Sequence, residues 1–123
     1  MDSATDRITQ LRERLAEVVA DVPDLTKVMR GTVRQRYVRC GKEGCHCQDG
    51  EGHGPIFYVS VSLGTGRTKQ VTLAEETYEL ARRYVRNYAR LREILEEVST
   101  INRQILHEER LARRRKPRRP DDR

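Results

Sequence analysis

The chain has 123 residues, enough for one small domain, and only 36% of them are hydrophobic, with no Trp and a single Phe. So thin an apolar supply suggests help from a metal or from a second chain. The formal net charge of +6 lies in one place: residues 110–123 hold eight Lys or Arg against two Asp, and the other 109 residues balance at 17 basic and 17 acidic. No apolar run approaches the roughly 20 residues a membrane span needs, and the polar start lacks the features of a secretory signal, so a cytoplasmic setting is expected. Thiols stay reduced there, and three cysteines cannot all pair within one chain, which argues against a disulfide framework.

Residues 5–22 place Ile8, Leu11, Leu15, Val18 and Val22 on one helical stripe, with Ser3 or Thr5 available as N-cap and Pro23 as the stop. A connector, 24–30, has no decisive pattern. Residues 32–39 are rich in β-branched and aromatic types and predict a strand. Residues 55–63 predict a second, with Phe57, Val59, Val61 and Leu63 on one face and Tyr58, Ser60 and Ser62 on the other. Gly64-Thr65-Gly66 supplies a turn, and 67–71 returns as a third strand. The expected fold class is α+β, with an N-terminal helix (5–22), a small three-stranded antiparallel sheet (31–73) and a long C-terminal helix (74–109).

Thr72 and Glu75 have capping-box spacing ahead of that helix. Within it, Tyr84, Leu91, Val98 and Ile105 at d and Tyr88, Leu95 and Asn102 at a form a heptad seam. The first helix can cover part of the seam and a second copy the remainder, which predicts a coiled-coil homodimer with Asn102 fixing register. The competing arrangement is a monomeric hairpin in which Asn102 faces solvent. The body, 1–109, is expected to form a single domain and the Arg-rich residues 110–123 a disordered tail.

Chemistry concentrates between Cys40 and His53. Five Cys or His residues (Cys40, Cys45, His46, Cys47 and His53) fall within fourteen positions, among glycines that permit tight turns. Zinc takes four tetrahedral ligands from such groups, and the expected set is Cys40, Cys45, Cys47 and His53, with His46 and Asp49 as substitutes. In a Cys-x-Cys pair both thiolates can turn inward around a bend while the residue between them points away. The alternatives are a metal-free glycine loop with packed thiols and a reactive cysteine. Four saturating ligands leave no open position for substrate, so the Zn2+ site is expected to be structural and the protein non-catalytic.

Basic residues outline the candidate nucleic-acid contacts. Arg34, Arg36, Arg39 and Lys42 follow one another from the first strand into the loop. Arg82, Arg83, Arg86 and Arg90 lie on the outward side of the long helix, and Arg113, Arg114, Arg115, Lys116, Arg118 and Arg119 crowd the tail. Arrays of this kind neutralise phosphates of DNA or RNA, and Tyr37 or Tyr58 beside them can stack on an unpaired base. The competing reading pairs the helix arginines with Glu79, Glu93, Glu96 and Glu97. A protein-interaction adaptor acting through the long helix is the alternative function.

The runs Arg36-Tyr-Val-Arg-Cys-Gly-Lys-Glu-Gly-Cys-His-Cys, Gly52-His-Gly-Pro-Ile-Phe-Tyr-Val-Ser and Gly66-Arg-Thr-Lys-Gln-Val resemble an uncharacterised prokaryotic family of small proteins. Its signature is Arg-Cys-Gly-Lys-x-x-Cys-x-Cys with His-Gly-Pro, and Leu91-Arg-Glu-Ile-Leu-Glu-Glu-Val-Ser-Thr-Ile-Asn-Arg looks like the helix that follows. The resemblance covers residues 31–106. It implies that sheet, loop and long helix form one unit, and it implies an accessory role, in some members tied to mobile elements. Glu43 stands where a Pro is expected and Ile56 where an aromatic is common.

Overall fold

The computed structural model describes residues 3–44, 50 and 52–114. Helix α1 (Ala4–Ala20) is followed by strands β1 (Thr32–Val38), β2 (His53–Gly64) and β3 (Arg67–Leu73), one 3-10 turn (Glu75–Thr77) and helix α2 (Tyr78–Arg114). The fold class is therefore α+β as expected. Contacts divide the chain into two compact units: Met1–Val22 with Arg90–Arg123, and Pro23–Ala89. Helix α2 contributes residues to both. No helix among the described residues is long and apolar enough to cross a membrane.

In the first unit α1 starts at Ser3, whose hydroxyl accepts from the Asp6 amide at 3.1 Å while the Asp6 carboxylate accepts from the Ser3 amide at 3.3 Å. This reciprocal cap satisfies two backbone donors that the first helical turn would otherwise leave without partners. The helix stops two residues before the predicted end, and Val22 is 37% exposed. Val18, Ile94, Ile101 and Ile105 are buried together, with Ile8, Leu11, Leu15 and Val98 packed against them. The α1 stripe thus packs as its spacing predicts. The Arg7 guanidinium donates to Glu108 at 2.8 Å, and Arg14 approaches Glu97 at 3.6 Å. These pairs show that the two helices run antiparallel.

The α2 seam follows the heptad assignment in part. Ile94 is 1% exposed and Ile101 is buried, whereas Leu95 is 56% exposed and Asn102 lies on the surface. The predicted d residues Val98 and Ile105 do pack against α1, and the residues that join them are Ile94 and Ile101, each one position before the predicted a residues Leu95 and Asn102. Ile94, Val98, Ile101 and Ile105 keep alternating four and three steps, so α1 covers the d side of the predicted seam and leaves Leu95 and Asn102 of its a side exposed. The start of α2 is corrected as well. Thr72 does not cap it but lies in β3 opposite Tyr58, and the 3-10 turn begins after Ala74, which offers no side-chain cap.

In the second unit the strands pair antiparallel in the order β1-β2-β3. Val33, Val59 and Val71 stand opposite one another, as do Phe57 and Leu73. These residues define the apolar face. Val59 is 5% exposed, and the Phe57 ring lies 4.4 Å from that of Tyr78 at the start of α2. The connector is tied to the same helix, because the Met29 amide donates to the Tyr84 carbonyl at 3.1 Å and Asn87 donates to the Lys27 carbonyl at 2.9 Å. Asp24 shapes the connector's turn. Bonds from the Thr26 hydroxyl and then the Thr26 amide hold its carboxyl below the ordinary carboxylate value.

Candidate Cys/His loop and basic surfaces

The ends of β1 and β2 form the neck of the loop. Register shifts between Arg36 and Val38, so that Val38 pairs with His53 after Arg36 has paired with Ile56. This β-bulge re-aims the strand ends. Two residues beyond Val38, Cys40 Sγ lies 3.3 Å from His53 Nε2. The neck is closed a second time by Arg39, which donates to the Gly50 carbonyl at 3.2 Å.

Glycine is required at two points of this neck. Gly52 has φ +103°, and a Cβ there would meet the Val38 carbonyl oxygen at 3.0 Å; Gly54 has φ +141°, and its Cβ would meet the Arg36 carbonyl oxygen at 2.9 Å. Both positions combine an unfavourable φ for an L side chain with direct backbone contact. The bulge therefore needs them bare.

The distance between the two side chains can be compared with a metal site. Zn–S of about 2.3 Å and Zn–N of about 2.0–2.1 Å at a tetrahedral angle separate the ligand atoms by roughly 3.6 Å. The observed 3.3 Å is close to that edge. Cys45 and Cys47, and the substitutes His46 and Asp49, lie outside the described residues. Among the described residues no three Cys, His, Asp or Glu side chains form a metal-holding group. Cys40 and His53 are the expected ligands that the structure places together.

The predicted basic residues fall into three groups. Arg34, Arg36, Arg39 and Lys42 are exposed along β1 and the loop neck. The Arg36 guanidinium sits over the Tyr58 ring, 4.8 Å from its centroid. Arg82, Arg83 and Arg86 are exposed on the first turns of α2, where Arg82 pairs with Glu79 at 3.1 Å and lies 5.7 Å from the Tyr78 ring centroid. Arg34, Arg83 and Arg86 make no ion pair with another described residue.

Arg90 differs from its neighbours. It bonds Asp21 at 2.7 Å and Glu93 at 3.2 Å, and these partners, Asp21 first, raise its pKa above the ordinary arginine value. Its charge is engaged within the helical hairpin. Spacing along α2 suggests the Glu93 contact, but the Asp21 contact depends on how α1 returns against it. Arg113 and Arg114 occupy the last turn of α2, where cations favour the negative end of the helix dipole. Arg115, Lys116, Arg118 and Arg119 lie outside the described residues.

The strands with their bulged Cys/His neck in one unit and the helical hairpin in the other define a small α+β protein. The chain belongs to the family of the domain of unknown function DUF6788, whose model matches residues 8–83. That match takes in most of α1, the connector, the whole sheet and the first turns of α2, and so it begins earlier and ends earlier than the resemblance drawn from the loop motifs. No curated protein and no solved structure matches the chain.

Proposed function

We propose that the loop is a structural zinc knuckle held by Cys40, Cys45, Cys47 and His53, and that it braces a non-catalytic nucleic-acid-binding accessory protein. The observation that carries the knuckle is the 3.3 Å approach of Cys40 Sγ to His53 Nε2 across the bulged ends of β1 and β2. Zinc there joins two strand ends and contributes folding free energy to a sheet whose outer strands are mostly exposed.

The nucleic-acid reading is supported by charge placement. Residues 25–74 carry eight Lys or Arg against three acids, Glu43, Asp49 and Glu51. Residues 110–123 add a net +6 of sequence-independent attraction. The test is affinity for a labelled oligonucleotide at low and high salt, with and without 110–123. Binding that weakens steeply with salt and weakens again on tail removal supports the proposal. No binding to duplex or single strand at low salt refutes it.

The exposed Leu95, Asn102 and Leu106 favour a second reading for α2. They follow steps of seven and four along a helix face that α1 leaves open, and we infer that a second copy of the chain covers it. The mass in solution tests this inference. A dimer reduced to monomer by Leu95→Glu supports it, and a wild-type monomer at high protein concentration refutes it.

A further inference from the structure

The two faces of the sheet are chemically different. One carries Val33, Phe57, Val59, Val71 and Leu73 and contains the buried Val59. On the other, Arg34 stands opposite Tyr58, which stands opposite Thr72, while Arg36 stands opposite Ile56. Every one of these five is exposed or half-exposed. The three strands together contain Arg34, Arg36, Arg67 and Lys69 and not one Asp or Glu. In a chain in which 36% of residues are charged the sheet is thus free of acids, and its open face carries Arg34 and Arg36 beside Tyr58 on the central strand.

We propose that this face is a platform for single-stranded nucleic acid, with an unpaired base stacked on the Tyr58–Arg36 pair and the neighbouring phosphates held by Arg34 and Arg36. The inference rests on the nucleic-acid reading above and names the form of nucleic acid that the sheet takes.

Geometry favours single strands over a duplex. The major groove, about 12 Å wide, admits a helix or a two-stranded ribbon. Three strands spaced about 4.8 Å apart already span roughly 10 Å between outer backbones before any side chain is added. This face is therefore too broad to enter a groove, whereas unpaired bases can lie flat on it. Tyr58 is on the central strand, so a base above it meets neighbours on both sides. The Arg36 guanidinium, 4.8 Å above the ring centroid, extends the stack, because guanidinium planes and aromatic rings both accept bases. Thr72, beside Tyr58 on β3, offers a hydroxyl at the edge of the same stack.

The experiment uses the full chain and fluorescence anisotropy with a labelled thymidine strand of about 12 nucleotides, a length within the range single-strand sites cover, and a duplex of equal length. The expected result is tighter binding of the single strand. Tyr58→Leu is expected to weaken it roughly 5- to 100-fold, as loss of one stacked base does, while Tyr58→Phe retains it. Circular dichroism establishes that the variants fold. Should Tyr58→Leu unfold, ultraviolet cross-linking of wild-type protein to an iodouridine-substituted strand decides the matter, since the adduct is expected at Tyr58. Equal or stronger duplex binding, or a cross-link confined to the tail, overturns the platform and leaves the broader nucleic-acid reading standing. Failure to bind either probe at low salt overturns that reading too.

Discussion

Replacing Ile94 by Ala tests which face of α2 is the core. Ile94 is 1% exposed and packs with Val18, Ile101 and Ile105, so the substitution removes buried methyl groups and leaves a cavity between two helices. Burial of such a side chain contributes about 1.5–3 kcal/mol, and the cavity brings the expected loss to roughly 2–5 kcal/mol. Leu95, one residue later, is 56% exposed. At protein concentrations low enough to separate any dimer, Leu95→Ala is expected to change stability by about 0.5 kcal/mol or less. Urea denaturation followed by far-ultraviolet circular dichroism measures both, with the two variants compared at the same dilution. Equal losses, or a greater loss at Leu95, would refute the packing of α1 against the Ile94 face. A Leu95→Ala cost that appears only as concentration rises would instead report the second copy proposed to cover that face.

Four further outcomes follow from particular contacts. The Glu108 side chain is 15% exposed where it meets Arg7, so Glu108→Ala, which removes that 2.8 Å charge-assisted bond, should cost about 1–2 kcal/mol. Arg14→Ala, which breaks exposed pairs with Glu17 and Glu97, should cost under about 1 kcal/mol in the same urea assay. Gly54→Ala drives a Cβ to 2.9 Å from the Arg36 carbonyl, and amide hydrogen exchange at the β1–β2 junction is expected to quicken while exchange in the helical hairpin stays unchanged. Asn87→Ala removes the bond to the Lys27 carbonyl, with an expected loss of about 1 kcal/mol and faster exchange in the 24–30 connector.

The parts of the fold legible in the sequence were those set by a short periodic pattern. Ile8, Leu11, Leu15 and Val18 can share only one face of a helix, and the alternation through Phe57, Val59 and Val61 leaves only one apolar face for β2. The seam of α2 was ambiguous for a physical reason. Ile94 and Ile101 have the same seven-residue spacing as Leu95 and Asn102, and the choice between them depends on where α1 lies. Thr72 and Glu75 satisfy a capping pattern that points to an earlier start of α2, yet pairing with Tyr58 extends β3 through Thr72 and on to Leu73. In the loop, composition singled out Cys40 and His53. The bulge between Arg36 and Val38 set their approach, and one extra residue in a strand leaves little trace in a sequence. The regular register ahead of the bulge brings Arg36 diagonally across to Tyr58, a contact that requires knowing which residues stand opposite.

Zinc content bears most directly on the knuckle. The full chain, purified without chelator and measured by inductively coupled plasma mass spectrometry, is expected to hold about one zinc per chain, as a closed four-ligand site does, and His53→Ala and Cys40→Ser should each lower that figure sharply. Less than about half a zinc per wild-type chain, or full occupancy in both variants, would contradict a site held by Cys40 and His53.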